Sequence, residues 1–527
     1  MTTTAFEEDP DLSLHEPLLG ENEHDDETMD GIEQTPPPKM TNSLVMAITL
    51  AVFPMFHYGY HIGVLNAPAS YMFPSKSIGQ WAMAISIFCV GGVFGANMAG
   101  GWADRYGRKR MLILLGGGIG LLGSLLSAVA PTLPVFIAAR LLLGWSGGAA
   151  TVLTPLYLGE VALPEYRGTL GTLTQLATVI GILVSAIVGI PLSHDWRWLF
   201  WPVVGLNGLM ILFGILYLHE SPQWLLLHHY VQRGHEAKTT LDIFYQFGIE
   251  GGGNSRTDMN DDDGEEDDAQ QQEQLNKLIQ IYMNEGEGVA TPEATDDDDD
   301  DGQRQNPSFC LYLNTHRIPV LSVFVYVMAQ QLSGINAVFY YSTSFLQGII
   351  DDPQKVTLLA FAVNVVSTLP PVYLMDRFGR KTWLLVSLSG MAICCVGLTL
   401  SRIHHIPLLT VITMCGYIVS FEFGLGCIPF FLAGDLIDAP QHMSTVQSWA
   451  MTFNWACNFL VGVAFPYLDH FCGNYSFLPF FVVLLLALWY TIWILPEIKS
   501  ARRKPRPNHE PVSMSSNNSI SHEGTIS

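Results

Sequence analysis

Residues Gln330 to Ser342 read QQLSGINAVFYYS, with two glutamines, Ser333, Asn336 and two tyrosines inside an apolar stretch of membrane-crossing length. An unpartnered amide or hydroxyl in hydrocarbon costs roughly 2–7 kcal/mol. Such side chains are expected to face something polar that must pass through. An amide offers two donors and an acceptor and brings no charge, so it meets a hydroxyl in either sense. The implied guest is a polyol or sugar, held weakly, because a net hydrogen bond contributes about 0.5–1.5 kcal/mol. Helix geometry adds a condition. At about 100° per residue Asn336 would lie roughly 140° from Gln331 on a straight helix. The two serve one ligand only if the helix unwinds between them, and Ser333-Gly334 is the expected break.

The elements that must position these residues are membrane spans. Of 527 residues, 49% are hydrophobic and 14% charged, and mean hydropathy is +0.28. A soluble chain carries about 25% charged residues. A helix needs about 20 apolar residues to cross hydrocarbon. A dozen candidates fall near 43–64, 79–101, 111–129, 133–157, 170–192, 198–218, 318–348, 356–375, 382–402, 407–437, 444–466 and 477–496. The fold class predicted is an all-α polytopic membrane protein with 12 transmembrane helices.

The net charge of −23 belongs to the tails and loops. Residues 1–40 hold 12 acids and one base, and 250–304 hold 19 acids and three bases. Removing these from 48 acids and 25 bases leaves 17 acids against 21 bases. Such like-charge blocks are expected to be solvated. The predicted organisation is an acidic tail (1–42), a six-helix bundle (43–218), a linker with helices and an acidic insert (219–317, insert 250–304), a second bundle (318–497) and a tail (498–527). Helix-forming linker pieces are 235–247 and 269–284. The eight cysteines offer no pairable extracellular set, and the acidic start does not read as a cleaved signal peptide.

Basic residues cluster after alternate spans: Arg105, Arg108, Lys109 and Arg110, then Arg167, then Arg377, Arg380 and Lys381, then five between Lys499 and Arg506. By the positive-inside rule both termini and the linker are cytoplasmic. The sequon at Asn474 then lies outside, as a glycosylation candidate, and that at Asn517 does not. The halves repeat. Asp104-Arg-Tyr-Gly-Arg-Lys109 returns as Asp376-Arg-Phe-Gly-Arg-Lys381, Gly159-Glu160 as Gly434-Asp435, and Glu220 as Glu497. Offsets of 272, 275 and 277 residues indicate two six-helix pseudo-repeats, the two-half plan of major facilitator transporters.

With these motifs in view, the chain resembles the sugar porter family, and closely the animal facilitative glucose transporters. The likeness runs through Tyr58-Gly-Tyr60, Gly63-Val-Leu-Asn-Ala-Pro68, the two Asp-Arg-x-Gly-Arg-Lys elements, Gly159-Glu-Val161, Glu220-Ser-Pro222, Gln330–Ser344, Phe421-Glu422, Ile428-Pro429 and Asn454-Trp455. The resemblance implies a hexose site of Gln175, Gln330, Gln331, Asn336, Asn364, Glu422 and Asn454, with Phe430 and Trp455 as aromatic contacts. It implies an outer gate at Tyr340 and Tyr341. It also implies cytoplasmic salt bridges among Arg105, Arg108, Glu160, Arg167, Arg377, Arg380 and Asp435. Span 10 offers a second hinge at Gly424, Gly426 and Pro429. Departures from the family pattern are Leu425, Cys427 and Phe430 in span 10, His219, Gln223, and no arginine around Gln441-His442.

The expected activity is passive uniport of a hexose, D-glucose first, across the plasma membrane by alternating access. Proton-coupled relatives carry an aspartate in span 1 where this chain has His61, and 43–67 contains no acid. A proton symporter using His61 and a non-transporting sugar sensor are the alternatives. No enzyme site, cofactor or nucleic-acid partner is expected; the partners are hexose and the lipid bilayer. Glu16-Pro-Leu-Leu19 would instead suit endosomal sorting.

Overall fold

Helix boundaries follow local chemistry. The computed structural model describes residues 39–163, 166–246, 316–346, 352–375, 379–437 and 440–495. Strand β1 (Lys39–Met40) leads into α1 (Asn42–Gly63), which Thr41 caps by accepting from Leu44 N at 3.3 Å. Helix α2 (Ile78–Tyr106) opens on a capping box in which Ser77 and Gln80 satisfy each other's backbone amides. The third span is compound: α3 (Arg108–Met111), a π-helical segment (Leu112–Ile119) and α4 (Gly120–Val129). Then come α5 (Leu133–Val161), α6 (Arg167–Gly189), a 3-10 turn (Trp196–Leu199) and α7 (Trp201–Tyr217).

The linker begins with α8 (Pro222–Phe244), capped by Ser221, and β2 (Tyr245–Gln246). The piece read as 235–247 is therefore the end of a longer helix. Among the described residues the chain is helical apart from turns and one short antiparallel pairing of β1 with β2, Lys39 opposite Gln246. The second half contains α9 (Arg317–Leu332), α10 (Ile335–Leu346), α11 (Pro353–Leu374), α12 (Arg380–Ile403), α13 (Pro407–Glu422), α14 (Ile428–Leu436), α15 (Pro440–Cys472) and α16 (Leu478–Trp493).

Nine helices among the described residues are long and apolar enough to span a bilayer. Three more segments complete the twelve. Span 10 is split into α13 and α14, and spans 11 and 12 are α15 and α16, which meet at 94°. Span 11 is longer than the 444–466 expected, because α15 continues through Pro466 to Cys472.

Glycine lets helix backbones touch where no side chain would fit. A Cβ on Gly144 of α5 would sit 1.8 Å from Phe88 O of α2, and one on Gly148 would sit 2.1 Å from Gly92 O. The halves meet along α2 against α15 and α6 against α11.

Candidate functional site

The break in span 7 is where the backbone becomes special. Gly334 has φ +87, a left-handed conformation that favours glycine, and a Cβ there would lie 2.6 Å from the Phe480 ring. Tyr417 donates its hydroxyl to Ser333 O, which fixes the end of α9. With the helix unwound, Asn336 Nδ2 donates to Gln331 Oε1 across the break. Gln331 Nε2 donates to Asn454 Oδ1 at 3.0 Å and, longer, to Gln330 Oε1 at 3.3 Å. Asn454 Nδ2 donates to Gln330 Oε1 at 2.8 Å and to Val327 O at 2.7 Å. Four of the seven expected amide and carboxyl residues thus form one buried ring of uncharged groups.

The second break joins this ring. Gln330 Nε2 donates to Leu425 O at 2.8 Å and Gly426 O at 3.2 Å, in the turn between α13 and α14. Glu422 ends α13, fully buried, and a Cβ on Gly426 would lie 2.7 Å from its Oε2. Its Oε1 accepts from Gln175 Nε2 at 2.9 Å, so this bond crosses from one half to the other. Asn364 is buried on α11, and neither atom of its amide bonds to the protein. Because these groups largely bond one another, a hydroxylated guest would exchange each such bond for its own, which keeps net binding weak.

Both expected aromatic contacts are buried. Trp455 is wedged into the opposite half, its ring 5.2 Å from Tyr58 and 5.6 Å from Phe88, and Nε1 donates to Thr151 Oγ1 at 3.1 Å. Gly92 makes the room: its Cβ would fall 2.2 Å from the indole. Phe430 is buried, and its carbonyl accepts from Gln447 Nε2 at 3.0 Å.

At the basic end the expected charges pair within each half. Arg108 Nε reaches both oxygens of Glu160 at 3.0 and 2.8 Å, and Nη2 reaches Oε1 at 2.6 Å. Arg380 Nε meets Asp435 Oδ2 at 3.0 Å. These two pairs brace a half rather than bridge the halves. Arg105 is exposed over the Tyr106 ring, and Arg167 is half-buried at the start of α6. Glu220 accepts from the backbone amides of Arg108 and Lys109 at 2.7 and 3.0 Å; burial pushes its carboxyl up, and these amides pull it back. Among the described residues, bridges between the halves at this end include Ser444 Oγ, which donates to Asp104 Oδ2 at 2.5 Å, and Gly100 N, which donates to Ser448 Oγ at 3.0 Å; the sequence singled out Asp104 but not its partner.

At the opposite end Tyr340 is buried, donating to Asn458 Oδ1 at 3.2 Å, with Cys89 Sγ of the other half 4.0 Å away. Asn474 lies half-buried in a short turn where Arg402 Nη1 binds Ser476 Oγ at 2.8 Å. Arg377, Glu497, the 269–284 piece, the acidic insert and the chain ends lie outside the described residues, as does the side chain of Tyr341.

His61 belongs to a cluster that spacing could have revealed. His57, one turn earlier, places Nε2 3.2 Å from His61 Nε2, and Ser124 Oγ lies 3.1 and 3.4 Å from the two rings. Arg140, 1% exposed, donates to His61 O at 3.0 Å and lies 4.3 Å over the Phe88 ring. No carboxylate pairs with it among the described residues.

A family model described as "Sugar (and other) transporter" matches residues 46–503. The mouse facilitated glucose transporter member 4 of solute carrier family 2 is 32% identical over 505 residues, covering 88% of this chain and 90% of that protein. Mouse member 3 is 30% identical over 491 residues, covering 88% and 91%. Among solved structures, the proton:xylose symporter XylE bound to 6-bromo-6-deoxy-D-glucose matches with a TM-score of 0.71 at 19% identity, covering 88% of this chain and 98% of that one. The inward-open XylE of E. coli matches at 0.63 and 19% identity, covering 86% and 97%.

Proposed function

The chain belongs to the sugar (and other) transporter family, and from that premise we propose that it carries a hexose, D-glucose first, passively across the plasma membrane. The observation that supports this most directly is the uncharged ring of Gln330, Gln331, Asn336 and Asn454, joined through the span 10 turn to Glu422 and Gln175. Hydroxyls can replace those bonds one for one, whereas a desolvated anion would find no opposite full charge among these groups. Asn364, with both amide atoms unengaged by protein, offers the guest a donor and an acceptor at once. The two halves rock about this site, and the broken helices α9–α10 and α13–α14 bend at glycine-containing turns to cover and uncover it. The basic end faces the cytoplasm in this reading, following the positive-inside rule.

Uniport is favoured over proton coupling by the span 1 chemistry. A His57 Nε2 to His61 Nε2 hydrogen bond needs one ring as acceptor, so at least one imidazole is neutral. Arg140 nearby opposes adding a second positive charge, and no acid on α1 offers a carboxylate to load. The curated relatives at 30–32% identity are named facilitated glucose transporters, and the symporter is a match in fold at 19%.

Counterflow of labelled glucose in proteoliposomes, run at pH 6.5 and 7.5 on both sides, tests the reading. Wild type should accumulate label to a similar extent at both pH values, and Gln330→Ala should lose most of it. Equal counterflow in wild type and variant would remove the site assignment, and, in the same vesicles with the outside alone acidified, strong stimulation of uptake would favour the symporter. Glycosylation at Asn474 is a separate expectation. Glycosidase treatment should shift the gel mobility of protein from eukaryotic cells, and Asn474→Gln should abolish the shift; a glycan that persists in the variant would reverse the assigned sidedness or site.

A further inference from the structure

Opening the outer side of the site requires α10 to leave the first half, and among the described residues a side chain of the first half holds its backbone. Asn66 follows the last turn of α1, where its backbone amide donates to Gly63 O at 3.1 Å and its side chain to the same carbonyl at 3.3 Å. So braced, Asn66 Nδ2 reaches across to Phe339 O at 2.7 Å. Phe339 immediately precedes Tyr340 and lies five residues beyond Gly334, the point about which α10 can turn. On its other side the Phe339 ring rests 6.0 Å from Phe361 of α11, in the second half. Beside Asn66 a narrow cleft separates the halves, lined by Gly63, Ala67 and Ile190 of the first and by Gln354 and Thr357 of the second. The seam is therefore thin here, and a short amide-to-carbonyl bond closes it.

Resting on the hexose reading above, we infer that Asn66 is the outer latch of the transport cycle: its amide holds α10 shut over the sugar site and must release Phe339 O each time the outside opens. Asn66 is a positioning residue here and touches no sugar in the closed state. The bond carries no charge and competes readily with water, so the latch can hold and still let go within a turnover. It differs in kind from the basic end, where Asp104 and Ser444 bridge the halves through a carboxylate. Losing the latch leaves the outward-open state favoured by about 2- to 12-fold, the factor that one net hydrogen bond supports.

The test reads opening without relying on sugar flux. Cys89 is buried 4.0 Å from Tyr340 and should become reachable only when α10 swings away. In full-length protein carrying Cys472→Ser, labelling of Cys89 by a membrane-impermeant thiol reagent from outside should speed up about 2- to 12-fold in Asn66→Ala. Asn66→Asp keeps the size but turns an acceptor towards the Phe339 carbonyl, and it should label at least as fast. Gln354→Ala, in the same cleft without the bond, should label at the wild-type rate, and Cys89→Ala should not label. A side-specific flux readout accompanies it: external maltose, a disaccharide too bulky to be enclosed, should inhibit Asn66→Ala more strongly than wild type, and internal maltose less strongly. Wild-type labelling rates in both Asn66 variants would overturn the latch, as would equal acceleration in Gln354→Ala, which would mean general loosening. A wild type that labels as expected but moves no hexose would instead sink the substrate reading and leave the latch standing.

Discussion

Gln331→Leu should lower glucose counterflow about 100-fold relative to an equal amount of wild-type protein. Leucine occupies nearly the same volume but removes the donor that serves Asn454 and Gln330 and the acceptor that receives Asn336. A hydroxylated guest that takes over these three positions, at about 0.5–1.5 kcal/mol each, loses roughly two decades of affinity with them at the midpoint. Asn454 Oδ1 and Asn336 Nδ2 lose their Gln331 partner in a buried site, where an unpaired polar group is costly. Gln331 is the hub of the ring, and the effect should exceed that of replacing Gln175, which makes one bond, to Glu422 Oε1, among those described. Counterflow with a thermal-unfolding control checks this. A well-folded Gln331→Leu within a few-fold of wild type would mean that sugar does not use the ring.

Arg108→Met should destabilise the first half by about 3–5 kcal/mol, because it strands the buried Glu160 carboxylate. Arg108 and Glu160 side chains are 5% and 3% exposed, whereas Asp435, partner of Arg380, is 21% exposed. The corresponding Arg380→Met should therefore cost less. The double variant Arg108→Met with Glu160→Met removes both charges and should regain most of the stability, since an apolar pair of similar volume often substitutes well for a buried ion pair. Unfolding midpoints in detergent measure all three. A double variant no more stable than the single one would show that the charges matter beyond each other, through Asp104 or the nearby Glu220.

Much of this site was legible because it is written in local chemistry. Ser333-Gly334 and the Gly424, Gly426, Pro429 run announce helix breaks, and Gly334 has the positive φ such a break demands. Amides in an apolar span announce a polar guest whatever the tertiary fold. The repeated Asp-Arg-x-Gly-Arg-Lys element announces two equivalent halves, although its second copy lies partly outside the described residues. Contacts between halves were not legible. Asn66 with Phe339 and Asp104 with Ser444 are separated by 273 and 340 residues, and nothing in either segment names its partner. Trp455 is expected from the resemblance as an aromatic contact, but only packing shows it seated over Gly92. The His57–His61 contact lies between these cases: a spacing of four residues puts both rings on one helix face.

Arg140 has a consequence for what else can cross. A guanidinium stays protonated in proteins, and this one is held by the carbonyl of His61 at the end of α1 and the face of Phe88 instead of by a counter-charge. It leaves the interior of the first half electropositive close to the sugar route. Sodium and hydronium are expected to meet an electrostatic barrier there, as they do at the arginine of a water pore, while an uncharged sugar is not. A sugar carrier built this way is expected to pass its guest without discharging the membrane potential.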